Sequence, residues 1–65
     1  MKIKYFPDTD TLYIEFNAEG VIESRDLDEN TVLDLDSEGR LCALTLEHAR
    51  DRADLPHCTF EQIVA

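Results

Sequence analysis

Polar and apolar residues alternate through the stretch Thr11-Leu12-Tyr13-Ile14-Glu15-Phe16. Alternation with a period of two is typical of a β-strand that has one buried and one solvated face. The run Lys2-Ile3-Lys4-Tyr5 alternates in the same way. Between the two runs lie Pro7, Asp8 and Asp10, residue types that favour a turn. The two runs therefore predict an antiparallel hairpin.

Three further runs of strand character follow, at residues 21–25, 31–36 and 41–46. Charged or polar turn segments separate them, and Gly39 in the last turn can adopt a positive φ without steric cost. Short strands at this spacing, without long helices between them, are typical of antiparallel pairing. We therefore predict a small antiparallel β-meander of four to five strands.

The hydrophobic period changes after residue 46. The pattern up to Pro56 fits one or two helical turns, and a proline ends it. Thr59 and Gln62 have the capping-box spacing of a second short helix. The apolar residues of that second helix are Phe60, Ile63 and Val64.

The length of 65 residues allows one domain. We predict an α+β fold over residues 1–65, with the β-meander at 1–46 and a helical C-terminal segment at 47–65. One or two short helices pack against the sheet. So short a chain buries little apolar surface, and we expect association with another chain to supply part of its stability. Whether residues 52–65 pack on their own chain or on a neighbour stays open.

The net charge of −9 excludes several classes of partner. A strongly acidic chain repels the phosphate backbones of nucleic acids and anionic membranes, so we expect neither as a partner. The longest aliphatic runs are too short for a transmembrane helix, and the N-terminus has no signal-peptide pattern. We therefore expect a cytoplasmic protein, in which Cys42 and Cys58 stay reduced.

No residue pattern supports catalysis or a cofactor. Residues 34–39 match the first half of a calcium loop, but Thr45 stands where a bidentate Glu is needed, and the flanks are predicted strands. The spacing also does not fit a zinc site made from Cys42, His48, His57 and Cys58. We predict no catalytic, cofactor or metal site and a protein that is not an enzyme. Weak binding of a metal or small ligand stays an alternative.

Several short motifs occur in a characteristic order: Met1-Lys2-Ile3-Lys4-Tyr5, Pro7-Asp8, Leu12-Tyr13-Ile14, Val32-Leu33-Asp34 and Glu38-Gly39-Arg40-Leu41. With this order and spacing, residues 1–50 resemble the small bacterial domain-of-unknown-function family number 2283. The resemblance implies a compact antiparallel β domain with a terminal helix in a stand-alone cytoplasmic protein, and it assigns no catalytic residues. Some members look like the partner gene of a small ribonuclease-like toxin, which implies an antitoxin-like role.

The distribution of charge indicates a class of protein partner. Between Asp8 and Glu38, the only basic residue is Arg25. Such a field favours association with a basic protein and excludes acidic ones. We predict partner-binding roles for charged and apolar residues. The charged residues are Asp26, Asp28, Asp34 and Asp36, and the apolar ones are Phe60, Ile63 and Val64.

The leading hypothesis is a non-enzymatic protein-binding module that forms a homodimer and acts as an antitoxin-like partner of a small basic ribonuclease-type toxin. The alternative is a self-associating structural homo-oligomer without a second kind of partner. A measurement of the mass in solution and the identity of the adjacent gene would separate the two hypotheses. The chain length and composition are compatible with both.

Overall fold

Five strands and one short helix make up the regular structure of the described residues. The computed structural model describes residues 1–17 and 19–64. The elements are β1 (Lys2–Phe6), β2 (Thr11–Glu15), β3 (Glu23–Asp28), β4 (Thr31–Leu35), β5 (Leu41–Glu47) and α1 (Ala49–Arg52). The predicted α+β class with an antiparallel sheet is confirmed.

The strand order differs from that of a simple meander. The five strands form one antiparallel sheet in the order β1-β2-β5-β4-β3. Strands that are consecutive in sequence pair in two groups. β1 pairs with β2, and β4 pairs with both β3 and β5. The centre of the sheet, however, joins β2 to β5. The chain after β2 therefore crosses to the far edge of the sheet before β3 begins.

The C-terminal segment contains one of the two predicted short helices. α1 has four residues, and residues 59–64 are not helical. A helix of five or six residues is marginal without packing partners. Phe60, Ile63 and Val64 are 76%, 84% and 86% exposed, so no contact within the described residues supports a helix there. Ala65, the last residue of the predicted segment, lies outside the described residues.

The register gives the sheet one apolar and one polar face. Residues directly opposite each other on paired antiparallel strands point to the same face. The apolar face carries Ile3, Tyr5, Leu12, Ile14, Thr31, Leu33, Leu44 and Leu46. The polar face carries Lys2, Lys4, Tyr13, Glu15, Asp26, Val32, Asp34, Ala43 and Thr45.

The buried core of this sheet is small. In the described part of the chain, the buried apolar residues are Leu12, Leu35, Cys42, Ala43 and Ala49. Three of these five side chains are Ala or Cys, which bury little apolar area. Because hydrophobic stabilisation is roughly proportional to buried area, Leu12 and Leu35 contribute more than the other three buried residues.

The turn between β4 and β5 depends on Gly39. Its φ is 78°, and its N–H donates to the backbone carbonyl of Asp36 over 3.0 Å. A Cβ at this position would meet no atom within 4 Å. We therefore expect Gly39→Ala to cost about 1–2 kcal/mol of stability through backbone strain alone. Urea unfolding measures this cost, and Ser37→Ala in the same turn is the control; equal midpoints for the two variants would contradict the prediction.

Candidate protein-binding surface

One end of the apolar face lies against α1. The guanidinium of Arg50 is 5.7 Å from the ring centroid of Tyr5. Arg52 donates from Nη2 to Oγ1 of Thr31 over 2.8 Å. Tyr5 and Thr31 belong to the apolar face, and Ala49 at the start of the helix is fully buried. α1 therefore covers the end of the face where β2 begins.

The other end of the face is covered by the segment that crosses from β2 to β3. The sulfur of Cys42 is 3.8 Å from the backbone carbonyl oxygen of Glu19, and the N–H of Ile22 donates to the carbonyl of Leu35 over 3.0 Å. These contacts place the chain around residues 19–22 against the ends of β4 and β5. Cys42 and Leu35, at this end of the face, are buried.

Between the two covered ends lies an apolar row that we call the central row, made of Ile3, Ile14, Leu44 and Leu33. The four residues are register partners across β1, β2, β5 and β4. Ile3 is 46% exposed, and the other three are half-buried. The central row spans about 14 Å from its first strand to its fourth, since neighbouring strands are about 4.8 Å apart.

The central row is electrically neutral along its length. Its four side chains are aliphatic, so the row itself carries no titratable group. On β3 the next register partner is Arg25, whose guanidinium pairs with the carboxylate of Glu23 over 2.8 Å. Covering such a surface with an apolar partner costs little desolvation free energy, because no charged group of the row is buried.

The described residues enclose no cavity. They also contain no group of three or more His, Cys, Asp or Glu side chains placed to hold a metal ion. No helix among them has the length and hydrophobicity to cross a membrane. The candidate functional feature is therefore the partly exposed apolar surface, which could bind another polypeptide.

Two of the predicted acidic contact residues stabilise their own turns. Asp28 accepts a hydrogen bond from the N–H of Asn30 over 2.8 Å and pairs with Arg52 over 3.5 Å. Asp36 accepts from the N–H groups of Glu38 and Arg40, both over 2.9 Å. These carboxylates lie at opposite ends of β4, and their charge is partly neutralised within the chain.

The other two predicted acidic residues lie on the polar face. Asp34 accepts a hydrogen bond from the hydroxyl of Ser24 over 2.7 Å. Asp26 is exposed on the edge strand β3. The structure therefore brings Asp26 and Asp34 to one surface and leaves Asp28 and Asp36 in separate turns.

The three predicted apolar contact residues lie in the C-terminal segment beyond Pro56, with most of each side chain exposed. Among the described residues, the backbone hydrogen bonds outside the regular elements end at Leu55, whose N–H donates to Ala53. Phe60, Ile63 and Val64 thus lie together on a segment that the sheet does not hold.

A cluster around Asp10 attaches α1 to the first hairpin. The hydroxyl of Tyr5 donates to Oδ1 of Asp10 over 2.6 Å, and the N–H of Arg50 donates to the same oxygen over 3.1 Å. The hydrogen bond from Tyr5 is the main cause that holds the pKa of Asp10 below its usual value. The same bond is the main cause that raises the pKa of Tyr5. Sequence reasoning missed this cluster because Asp10 and Arg50 are 40 residues apart in the chain.

These hydrogen bonds predict acid sensitivity. Tyr5, the N–H of Asn30 and the N–H of Arg40 hold the pKa values of Asp10, Asp28 and Asp36, respectively, below 3.8. A carboxylate with a lowered folded pKa stabilises the fold fully above its unfolded pKa, and this stabilisation is lost as the pH falls through the folded pKa.

We therefore expect the urea concentration at the unfolding midpoint to decrease as the pH is lowered below about 4. Asp10→Asn removes one of the titrating groups and flattens this dependence. Tyr5→Phe removes the donor at the other end of the same hydrogen bond and flattens it as well. The same slope for Asp10→Asn as for the unchanged protein would contradict this account.

Comparison with known proteins yields one finding. A family model described as "Protein of unknown function (DUF2283)" matches residues 2–50 of the 65-residue chain. The match takes in all five strands and the start of α1, and it leaves out the C-terminal segment. No curated protein and no solved structure matches the chain. The resemblance seen in the sequence motifs is thus confirmed, and the chain belongs to the DUF2283 family.

Proposed function

We propose that this protein is a non-enzymatic protein-binding module whose docking surface is the central row. The observation that carries the proposal is the half-exposed apolar row in the middle of a sheet face whose two ends are covered. Aliphatic side chains offer neither a nucleophile nor a general acid or base, so this surface is suited to binding and not to chemistry.

The small core supports the same proposal. Burying apolar surface contributes roughly 25 cal/mol per Å². A partner that covers the central row would therefore add to the stability that Leu12 and Leu35 provide inside the chain. Binding and folding would reinforce each other.

Site-specific photocrosslinking tests the proposal. A benzophenone amino acid replaces Leu44 on the central row, and in a matched chain it replaces Thr45, which points to the polar face. Both chains are produced in cells that naturally contain the protein. We expect a protein adduct from position 44 and little or none from position 45. Equal adducts from both positions, or none from position 44, would contradict the proposal.

A second proposal is the antitoxin-like role in the bacterial cytoplasm, with a basic ribonuclease-type protein bound by the acidic polar face. It is supported by Asp26 and Asp34, which share that face next to the free edge of the sheet. Electrostatic association weakens as salt screens the charges. We expect the affinity for the product of an adjacent toxin-like gene to fall between about 0.05 and about 0.5 M salt. An affinity that does not depend on salt would contradict this second proposal.

A further inference from the structure

We propose that the central row is occupied by residues 59–64 of a second copy of this chain, so that two copies exchange their C-terminal segments. This inference rests on the protein-binding function proposed above and names the partner. The remaining features of the structure limit both the shape and the chemistry of what can fit on the row.

The width of the open strip admits one extended segment. Cys42, under the crossing segment, and Leu46, beside α1, are four residues apart on β5. At about 3.4 Å per residue, the covered rows are about 14 Å apart, with the central row between them. A five-stranded sheet is about 24 Å wide and cannot enter this gap, whereas a single strand can. The covers at both ends therefore disfavour face-to-face packing of two sheets.

The C-terminal segment has the length and side chains for this position. Six extended residues reach about 20 Å, enough to cross the four strands of the central row. Phe60, Ile63 and Val64 are the most exposed large apolar side chains among the described residues. The family match ends at residue 50, so this segment is a feature of this chain outside the matched region.

The charges are compatible with contact between two copies. Glu61 is the only charged residue within 59–64, and the central row has no charge of its own. The pair of Glu23 and Arg25 at the end of the row is neutralised internally. Exchange of the segments therefore does not bring the acidic surfaces of the two copies, each of net charge −9, into direct contact.

Two observations favour the segment of a second copy over the chain's own segment: the exposure of the C-terminal segment and the area that a stable interface buries. Within one chain, Ile3 at the edge of the central row is 46% exposed and the rest of the row is half-buried, while Phe60 on the C-terminal segment is 76% exposed, so the segment does not cover the row of its own chain. A stable interface buries about 800 Å² per partner. The central row alone, four side chains of which three are half-buried, is too small for this, but a buried aromatic side chain such as Phe60 adds about 150–250 Å². In an exchange, each copy both gives and receives such a segment.

Sedimentation equilibrium of the full chain tests the exchange. We expect a mass that approaches twice the 7.5 kDa of one chain as the concentration rises. Phe60→Ser on the segment and Ile14→Thr on the row should each weaken the dimer by about 100-fold or more, because each change occurs twice in the dimer. The matched controls are Glu61→Gln on the segment and Val32→Thr on the polar face, which should change the dissociation constant by less than about threefold.

A chain truncated before Thr59 tests the exchange independently, in case one of the substitutions alters folding. The truncated chain should keep the strand signal in circular dichroism and sediment as a monomer. A truncated chain that still forms the dimer would overturn the exchange, as would a full chain that is monomeric at every concentration. A monomer that crosslinks to a different protein from position 44 overturns only the exchange, whereas the absence of any adduct from position 44 overturns the proposed function as well.

Discussion

Leu12→Ala is expected to remove a large fraction of the stability of the fold at 25 °C. Leu12 is 7% exposed and is one of two large apolar side chains in the core, with Leu35. Deleting buried methyl groups of a leucine costs about 2–5 kcal/mol. The total stability of a domain this short is about 3–10 kcal/mol, so one such loss is a large fraction of it. Far-ultraviolet circular dichroism during urea unfolding measures the loss.

Leu41→Ala is the matched control for this experiment. Leu41 is 41% exposed, so the same chemical change should cost about 1 kcal/mol or less. Because dimer formation stabilises the folded chain by mass action, raising the concentration of Leu12→Ala should restore part of its structure. A Leu12→Ala midpoint equal to that of Leu41→Ala would contradict the assignment of the core.

Arg52→Met is the prediction with the second largest effect. Arg52 donates to the carbonyl of Asn30 over 3.0 Å and to Oγ1 of Thr31 over 2.8 Å, and Thr31 is 2% exposed. Methionine keeps the apolar stem of the side chain and removes these donors. The carbonyl of Asn30 keeps its hydrogen bond from the N–H of Glu47 over 2.8 Å. Leaving the buried hydroxyl oxygen of Thr31 without its Arg52 donor costs about 1–3 kcal/mol. We expect this loss in the free energy of unfolding, measured with urea.

Arg50→Met provides the comparison on the same helix. Arg50 stacks over Tyr5 at the surface, an interaction typically worth about 0.5–1 kcal/mol. We expect the Arg52 variant to be the less stable of the two at every pH where both fold. The reverse order would show that the hydrogen bonds of Arg52 do not hold α1 to the turn before β4.

The strands could be predicted from the sequence because their signal is local. Alternation at residues 11–16 and 31–36 reports which side chains share a face, and the register confirms those faces. The pairing of β2 with β5 could not be predicted in this way, because it depends on contacts between residues about 30 positions apart. The central row was missed for the same reason, since it forms only when four strands are ordered.

The sequence correctly predicted a short helix after the last strand, but the observed helix is shorter than the predicted helical segment. β5 continues to Glu47, and His48 then adopts a left-handed conformation with φ 54° before α1 begins. A periodic pattern from Leu46 onward does not reveal that the first residues belong to a strand. The second predicted helix needed a surface on which Phe60 could pack, and Phe60 is 76% exposed, so it does not pack on the sheet of its own chain.

The prediction for the acidic residues could have been sharper. Asp28 and Asp36 each accept a hydrogen bond from the backbone N–H two residues later, which is the pattern of an Asx turn. Asn30 lies two positions after Asp28, and Glu38, which precedes Gly39, lies two positions after Asp36. This local spacing in a predicted turn indicates that the two carboxylates stabilise turns. Asp26 and Asp34 lack this context within strands, and they stay candidates for contact with a basic protein.

Isotope-filtered nuclear Overhauser spectroscopy on a mixture of labelled and unlabelled chains tests whether the C-terminal segment of one copy lies on the central row of the other. We expect cross-peaks between the methyl groups of Ile14 and Leu44 in one copy and the Phe60 ring of the other. The methyl groups of Val32, which point to the polar face, should give none. Cross-peaks to Val32 in place of Ile14 and Leu44, or no cross-peaks between copies at millimolar concentration, would contradict the exchange.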